Sequence, residues 1–212
     1  MTAASNGAID AVIFDIGGVL LDWDPRYLYR RLIDDEAEME RFLRHVCTME
    51  WHEANDLGVP FEVTCAQLAA EHPDHAELIW AWGRRSEEMV RGPIDGTVAI
   101  LRELKDDGKV RLFALTNMEA TTYPLRRDRY DFLRWFEGTV VSSSEGVIKP
   151  DERIFRVLLE RYGLTAASTL MVDDNPRNVA AAAELGMPTV LFESPDGLRR
   201  TLEEHGVLDP AI

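Results

Sequence analysis

Short apolar runs rich in β-branched residues alternate with amphipathic patterns along most of the chain. Short apolar runs predict buried strands, and apolar positions that recur every three or four residues predict helices. The predicted strands are 11–16, 111–116, 138–143, 169–173 and 189–192. The predicted helices are 97–105, 119–130, 152–162, 177–185 and 197–205. This alternation is typical of βαβ units, so we predict an α/β fold: a Rossmann-like parallel sheet with helices on both faces.

One region, residues 24–92, has only helical patterns and no predicted strand. The helical patterns cover 26–32, 36–48, 61–72 and 75–90. Asp24-Pro25 is a helix-start signal, and Gly92-Pro93 is a break that returns the chain to the sheet. We therefore expect two domains: a Rossmann-like core formed by 1–23 and 93–212, and a small all-helical cap, 24–92, inserted after the first strand.

Two of the core helices carry end signals. Asp151 can cap the helix that ends near Gly163, where a glycine is favoured. Asn175-Pro176 places a capping residue and a first-turn proline before the helix that stops at Gly186.

Four of the five predicted strands end in polar residues. These are Asp15, Thr116-Asn117, Ser142-Ser143-Ser144 and Asp173-Asp174-Asn175. Ligands bind beyond the carboxyl ends of the strands in such sheets, so these clusters should converge. A carboxylate at the end of a buried strand is costly unless it is paired, metal-bound or reactive, which makes Asp15 the first candidate for chemistry.

The chain is strongly acidic, with a formal net charge of -15. This charge disfavours nucleic acids and anionic membrane surfaces as partners, and an anionic substrate would need a metal or a few placed cations. We find no signal-peptide pattern in residues 1–8 and no apolar stretch of roughly 20 residues. Cys47 and Cys65 lack metal-site spacing and fit a reducing compartment. We expect a cytoplasmic protein, either a monomer or a homodimer.

Four segments resemble the motifs of the haloacid dehalogenase superfamily, in that family's order. They are Phe14-Asp15-Ile16-Gly17-Gly18-Val19-Leu20, Leu115-Thr116-Asn117, Ile148-Lys149-Pro150 and Met171-Val172-Asp173-Asp174-Asn175. The resemblance covers essentially the whole chain, and residues 24–92 are similar to the small helical cap of the family's first cap type. The overall pattern is most similar to small bacterial sugar-phosphate phosphatases of this superfamily.

The resemblance implies covalent catalysis. Asp15 would attack phosphorus to form an aspartyl-phosphate, which water then hydrolyses. Lys149 would neutralise negative charge on the nucleophile and on the transition state. Thr116 would bind phosphoryl oxygens, together with nearby backbone groups at Gly17 and Gly18, and Asn117 would touch the substrate or close the turn after its strand.

The resemblance also implies a Mg²⁺ site. Asp15, Asp174 and the backbone carbonyl of Gly17 would hold the ion, which favours oxygen ligands. Asp173 would make a further or water-mediated contact to the ion and would orient Lys149.

One residue departs from the family pattern. Many phosphatases and phosphomutases of this superfamily carry a second aspartate, a general acid and base, two residues after the nucleophile, where this chain has Gly17. General acid–base catalysis is worth roughly 10²–10⁴-fold in rate. The glycine argues against a phosphomutase, although some sugar-phosphatase-like relatives also carry glycine there.

The cap offers a replacement in the segment from Trp51 to Gly58. We hypothesise that Trp51, His52, Asn55 or Asp56 faces the active site and selects the substrate, with His52 as an acid that titrates near neutral pH. The alternative is a helix end with polar residues on the surface.

Other polar and aromatic groups have plainer interpretations. Arg126, Arg127 and Arg129 are typical of a solvated helix face, and Trp80 and Trp82 of packing within the cap. The segment 72–75 is interpreted as a surface turn.

We therefore predict a Mg²⁺-dependent phosphatase that acts on a small phosphorylated metabolite such as a sugar phosphate. A first alternative is a 2-haloacid dehalogenase that uses Asp15 without a metal, but such enzymes usually have serine and asparagine in place of Asp173-Asp174. A second alternative is a weakly active or inactive binding protein, which Gly17 favours and which the intact set of Asp15, Thr116, Lys149 and Asp174 disfavours.

Overall fold

The computed structural model describes residues 8–210. The strands of this part are β1 (Ala11–Phe14), β2 (Leu21–Trp23), β3 (Val90–Pro93), β4 (Arg111–Thr116), β5 (Gly138–Val141), β6 (Thr169–Asp173) and β7 (Thr189–Leu191). The helices are α1 (Arg26–Tyr29), α2 (Glu36–His45), α3 (Met49–Asp56), α4 (Phe61–Glu71), α5 (Ala76–Arg84), α6 (Asp95–Asp107), α7 (Thr122–Arg129), α8 (Ser142–Glu145), α9 (Glu152–Tyr162), α10 (Pro176–Glu184) and α11 (Pro195–Glu204).

Five strands form a parallel sheet in the order β5-β4-β1-β6-β7. Alternate residues of the central strand β1 face opposite sides of this sheet. Val12 and Phe14 pack in a cluster with apolar residues of α6 and α11, whereas Ala11 and Ile13 pack with residues of α9 and α10. The predicted parallel sheet with helices on both faces is thus confirmed.

The predicted core elements are all present, with ends that differ by up to three residues. The helix-end signals are confirmed as well: the Asp151 carboxylate accepts a hydrogen bond from the backbone N–H of Arg153 at 2.9 Å. Gly163 ends α9 in the left-handed conformation, and the Asn175 side chain accepts from the backbone N–H of Arg177 at 3.0 Å. The capping signals predict these helix ends correctly because each depends on residues close by in sequence.

Helices α1–α5 have a hydrophobic cluster of their own. Tyr29, Met39 and Trp82 are fully buried in it, and Cys47 and Cys65 are buried there as free thiols. The helical insert after the first strand, expected from the sequence, therefore has its own core.

Two features of the insert differ from expectation. Residues 24–92 were expected to contain no strand, but β3 begins at Val90 and pairs with β2 in an antiparallel two-stranded sheet. Gly92 and Pro93, which the sequence argument used as a break, lie within this short strand. In addition, α3 is a separate helix that begins after Thr48, whose hydroxyl accepts from the backbone N–H of Trp51 at 3.0 Å.

The expected N-terminal tail, residues 1–8, lies outside the described residues except for Ala8. Within residues 8–210, no helix is long and apolar enough to span a bilayer.

The packing of α9 on the sheet can be tested with Phe155→Ala. Phe155 is fully buried, so we expect a loss of about 3–5 kcal/mol in the free energy of unfolding. The neighbouring Arg156→Ala is the control, because Arg156 is exposed and its ion pair is with exposed Glu152. That change should cost less than about 0.5 kcal/mol. Urea denaturation measures both, and equal losses would contradict the described packing.

Candidate active site

A cavity of about 750 Å³ lies between the carboxyl ends of the sheet strands and the α1–α5 helices. The sheet side contributes Asp15, Thr116, Asn117, Lys149 and Asp174, and the helical side contributes His52 and Asp56. Three of the four polar strand ends thus converge on one site, as the topology predicted. The fourth, Ser142-Ser143-Ser144, does not line the cavity; Ser142 Oγ donates to the Asp56 carbonyl instead.

Lys149 lies at the centre of the buried charges in this cavity. Its Nζ is 3.0 Å from Asp15 Oδ1 and donates to Asp173 Oδ2 at 2.7 Å and to the Leu115 carbonyl at 2.9 Å. Asp15 Oδ1 also accepts from the backbone N–H of Ile16 at 2.7 Å. Among the described residues no hydrogen-bond donor reaches Asp15 Oδ2, so this oxygen is available to a ligand.

Asn117 holds the backbone of Lys149 in place. Its Nδ2 donates to the Lys149 carbonyl at 2.9 Å, and its Oδ1 accepts from the Lys149 backbone N–H at 2.8 Å. The Lys149–Pro150 peptide bond is cis. Asn117 therefore ties the end of β4 to the loop that carries the lysine, and both the nitrogen and the oxygen of its side-chain amide are used in doing so.

Asp173 is fully enclosed and fully bonded. In addition to Lys149, it accepts from Asn178 Nδ2 at 3.0 and 3.1 Å and from the backbone N–H of Asn175 at 2.9 Å. This geometry agrees with the expected role in orienting Lys149. Asn178, on α10, was not singled out from the sequence, because it lies one turn beyond the motif.

Burial and mutual repulsion shift the protonation of these carboxylates. Burial raises the pKa of Asp15 to about 7; Lys149 opposes this shift, while Asp173 and Asp174 add to it. The pKa of Asp174 is raised by burial and by Asp173. For Lys149, burial alone would lower the pKa, but the attraction of Asp15 and Asp173 outweighs it, so its pKa is raised.

The donor set fits a hard divalent cation. Oxygen atoms of Asp15, Asp173 and Asp174 lie within 4.8 Å of one another. Gly18 has φ +73°, and a Cβ there would lie 2.2 Å from Asp174 Oδ2, so the glycine lets the loop approach this carboxylate. Asp15 and Asp174, with the Gly17 carbonyl, would hold the ion, which when bound would neutralise charge on a phosphoryl group. Asp173, whose oxygens are already bonded, fits an indirect contact better.

Of the four cap residues that could face the active site, two line the cavity and two do not. His52 and Asp56 line the cavity. Trp51 does not line it: its ring packs edge-on against Trp82, with centroids 5.5 Å apart. Asn55 Nδ2 donates to the Val59 carbonyl and to Thr64 Oγ1, both at 2.8 Å, so Asn55 stabilises the turn after α3.

Arg126 differs from its predicted role, and Trp82 differs in part. Arg126 is buried and lines the cavity, where its Nε lies 3.4 Å from Glu87 Oε1, so it does not belong to a solvated face. The run of arginines concealed it, because only one of them points inward. Trp82 packs within the cap as expected, but it also lines the cavity and donates its indole N–H to His52 Nδ1 at 3.1 Å.

With this geometry established, comparison with known proteins assigns the family. The family model of the haloacid dehalogenase-like hydrolases matches residues 9–186. The chain belongs to this family of hydrolases.

Two characterised relatives cover most of the chain. The sesquiterpene phosphatase astK of Aspergillus oryzae is 29% identical over 177 residues, which are 84% of this chain and 86% of that protein. The phosphorylated carbohydrates phosphatase of Thermotoga maritima is 24% identical over 188 residues, 86% of this chain and 84% of that protein.

Two solved structures share the fold. A HAD family enzyme of Bacteroides thetaiotaomicron, in complex with magnesium and inorganic phosphate, superimposes with a TM-score of 0.66 at 19% identity, over 88% of this chain and 96% of that one. The L-2-haloacid dehalogenase of Xanthobacter autotrophicus, with chloropropionic acid covalently bound, has a TM-score of 0.65 at 18% identity, over 94% of this chain and 84% of that one.

The close approach at Gly18 can be tested with Gly18→Ala. The methyl group would force a strained positive φ and push the Asp174 carboxylate aside, so we expect a loss of about 1–3 kcal/mol in the free energy of unfolding. Gly17→Ala is the matched control, because a Cβ there meets nothing within 4 Å. It should change stability by less than about 1 kcal/mol. Chemical denaturation measures the free energy of unfolding of both variants. A larger loss for Gly17→Ala than for Gly18→Ala would contradict this account.

Proposed function

We propose that this hydrolase is a Mg²⁺-dependent phosphatase that works through an aspartyl-phosphate at Asp15. The observation that carries the proposal is the buried Lys149 ammonium between Asp15 and Asp173, beside the Asp174 carboxylate. Lys149 bonds to Asp15 Oδ1, which leaves Oδ2 free to attack phosphorus. Thr116, buried at the end of β4 and lining the same cavity, is the proposed hydroxyl donor to a phosphoryl oxygen.

The Mg²⁺ dependence is supported by the chemistry of the acidic cluster. Three carboxylates close together in a strongly acidic protein would repel a phosphate dianion, so a cation has to compensate the charge. The magnesium complex of the similar Bacteroides thetaiotaomicron enzyme supports the same ion.

The proposed substrate is a small phosphorylated metabolite such as a sugar phosphate. A cavity of about 750 Å³ is within the usual range for small-molecule sites. Residues of the helical insert line one side of this cavity. We propose that residues 24–92 act as the cap that selects the substrate. The two similar phosphatases act, by name, on a sesquiterpene compound and on phosphorylated carbohydrates, which supports the phosphatase reaction more firmly than one substrate.

A 2-haloacid dehalogenase remains the second candidate, because the fold of one such enzyme is similar. The acidic pair Asp173-Asp174 favours a metal and phosphate instead. A dehalogenase would turn over 2-chloropropionate without a metal, and a phosphatase would not.

The proposal predicts hydrolysis of p-nitrophenyl phosphate that requires both Mg²⁺ and Asp15. Asp15→Asn keeps the shape and the contact to Lys149 but removes the nucleophile, so we expect turnover to fall by at least about 10³-fold. Excess EDTA should abolish turnover in the wild-type protein, and added Mg²⁺ should restore it.

Arg156→Ala, on the outer face of α9, is the control and should keep full activity. Turnover that persists in Asp15→Asn, or that is indifferent to EDTA, would contradict the proposed function. The released p-nitrophenolate is coloured, so its absorbance reports the reaction directly.

A further inference from the structure

Gly17 leaves the proposed phosphatase without the usual source of a proton. A Cβ at this position would meet nothing within 4 Å, so the space beside Asp15 is open. An alcohol leaving group needs a proton as its bond to phosphorus breaks, and the attacking water must later lose one. This inference rests on the proposed function and asks which other group in the cavity carries that proton.

Asp56, the last residue of α3, is a buried carboxylate without a close partner: His52 Nε2 lies 3.7 Å from its Oδ1, which is longer than a hydrogen bond. Asp56 is 7% exposed and lines the same cavity as Asp15. Its Oδ1 is enclosed and makes no hydrogen bond to any of the described residues. A buried carboxylate that serves only structure is normally hydrogen-bonded, so this unbonded oxygen points to a ligand.

The core of the protein fixes the position of Asp56. Ser142 Oγ donates to the Asp56 carbonyl at 2.6 Å and accepts from the backbone N–H of Met118 at 3.0 Å. Two residues later Gly58 has φ +106°, and a Cβ there would lie 2.9 Å from the Ser143 carbonyl. The end of α3 therefore packs against the segments that follow β4 and β5.

His52, one turn earlier on α3, is a poorer proton carrier. Its Nδ1 accepts from the Trp82 indole, which can only donate, so in the neutral ring the proton is on Nε2. That Nε2 lies 3.7 Å from Asp56 Oδ1. Burial lowers the pKa of His52 to about 4, and Arg126 adds to this shift, so the ring stays neutral near pH 7.

The charges around Asp56 suit a group that exchanges a proton. Burial raises the pKa of Asp56 to about 7, and Asp15 and Glu53 add to the shift. Lys149 and Arg126 oppose it. Both protonation states of Asp56 are therefore accessible near neutral pH, as a general acid and base requires.

Two other carboxylates that line the cavity, Glu119 and Glu40, are already engaged. Glu119 Oε2 accepts from the backbone and hydroxyl groups of Thr121 and Thr122, where it caps α7. Glu40 forms a two-point ion pair with Arg26. Neither can give up its partners and serve as a proton carrier without local rearrangement.

We propose that Asp56 is the general acid and base of this enzyme, supplied by the cap in place of the aspartate that Gly17 lacks. In the first step, Asp15 Oδ2 bonds to phosphorus and the bond to the leaving oxygen breaks. The Asp56 carboxyl gives its proton to that oxygen, and the product leaves as an alcohol. In the second step, the Asp56 carboxylate takes a proton from water. The water oxygen bonds to phosphorus, the bond to Asp15 breaks, and phosphate leaves.

The test compares Asp56→Asn on p-nitrophenyl phosphate and on ethyl phosphate. Ethoxide is a poor leaving group, so kcat/KM for ethyl phosphate should fall by about 10²-fold or more. The p-nitrophenolate ion leaves without a proton, so its kcat/KM should fall far less. Because the second step is also slowed, this substrate should show a burst of p-nitrophenol followed by slow turnover.

Glu50→Gln is the matched control, because Glu50 lies on the exposed face of α3 and outside the cavity. It should leave both substrates unaffected. An equal fall of kcat/KM for both substrates in Asp56→Asn would assign Asp56 a structural role and overturn the proposal, as would no fall for either substrate.

The double variant Asp56→Asn/Gly17→Asp provides a second test that does not depend on losing activity. A Cβ at position 17 meets nothing within 4 Å, and this residue lines the cavity, so kcat/KM for ethyl phosphate should recover at least about 10-fold over Asp56→Asn. A double variant with no recovery would overturn the proposal. Failure of the proposed phosphatase function can be told apart from failure of the Asp56 proposal. It would appear as turnover without Mg²⁺, or as turnover in the Asp15→Asn variant, when Asp56 and Gly17 are unchanged.

Discussion

The interaction on which this site depends is the buried ion pair of Lys149 with Asp15 and Asp173. Each of the two carboxylates lies at the end of a central strand of the sheet, where it is buried and an unpaired charge would be strongly disfavoured. The ammonium group, 3.0 and 2.7 Å from them, makes their ionised forms tolerable. Removing one partner from a buried pair of this kind typically costs about 3–5 kcal/mol, since it leaves an uncompensated charge. The fold therefore depends on the same lysine that the proposed chemistry uses.

This constraint explains why so many nearby polar groups serve the lysine and not a ligand. Asn117 holds its backbone, and Asn178 holds the carboxylate that faces it. With Asp15 Oδ1 and both oxygens of Asp173 engaged, Asp15 Oδ2, Asp174 and Thr116 remain as the groups that can meet a substrate or a cation. The helical insert completes the site from above through Asp56, and Ser142 links that residue to the ends of β4 and β5. The core and the insert are thus parts of one catalytic arrangement in this proposal.

Much of the core and its site could be predicted from the sequence, because the relevant signals are local. Asp15, Thr116 and Asp173 each follow an apolar run, and parallel strands bring their carboxyl ends to one edge whatever the details of packing. Contacts between distant segments were harder to predict. Trp51 and Trp82 look alike in sequence, yet only Trp82 reaches the cavity. Arg126 looked like part of a solvated face, but Glu87, 39 residues earlier, draws it inward. Strand β3 was not predicted because its partner β2 is separated from it in sequence by the whole helical insert.

The central claim is that the oxygen of Asp15 left free by Lys149 forms a covalent bond to phosphorus. The most direct measurement is acid quenching during turnover of p-nitrophenyl phosphate, followed by mass spectrometry of the peptide that contains Asp15. The account predicts that this peptide gains the mass of one phosphoryl group, that Asp15→Asn abolishes the gain, and that Asp56→Asn increases the trapped fraction. Steady turnover with no phosphorylated peptide, or with the phosphoryl group on another residue, would contradict it.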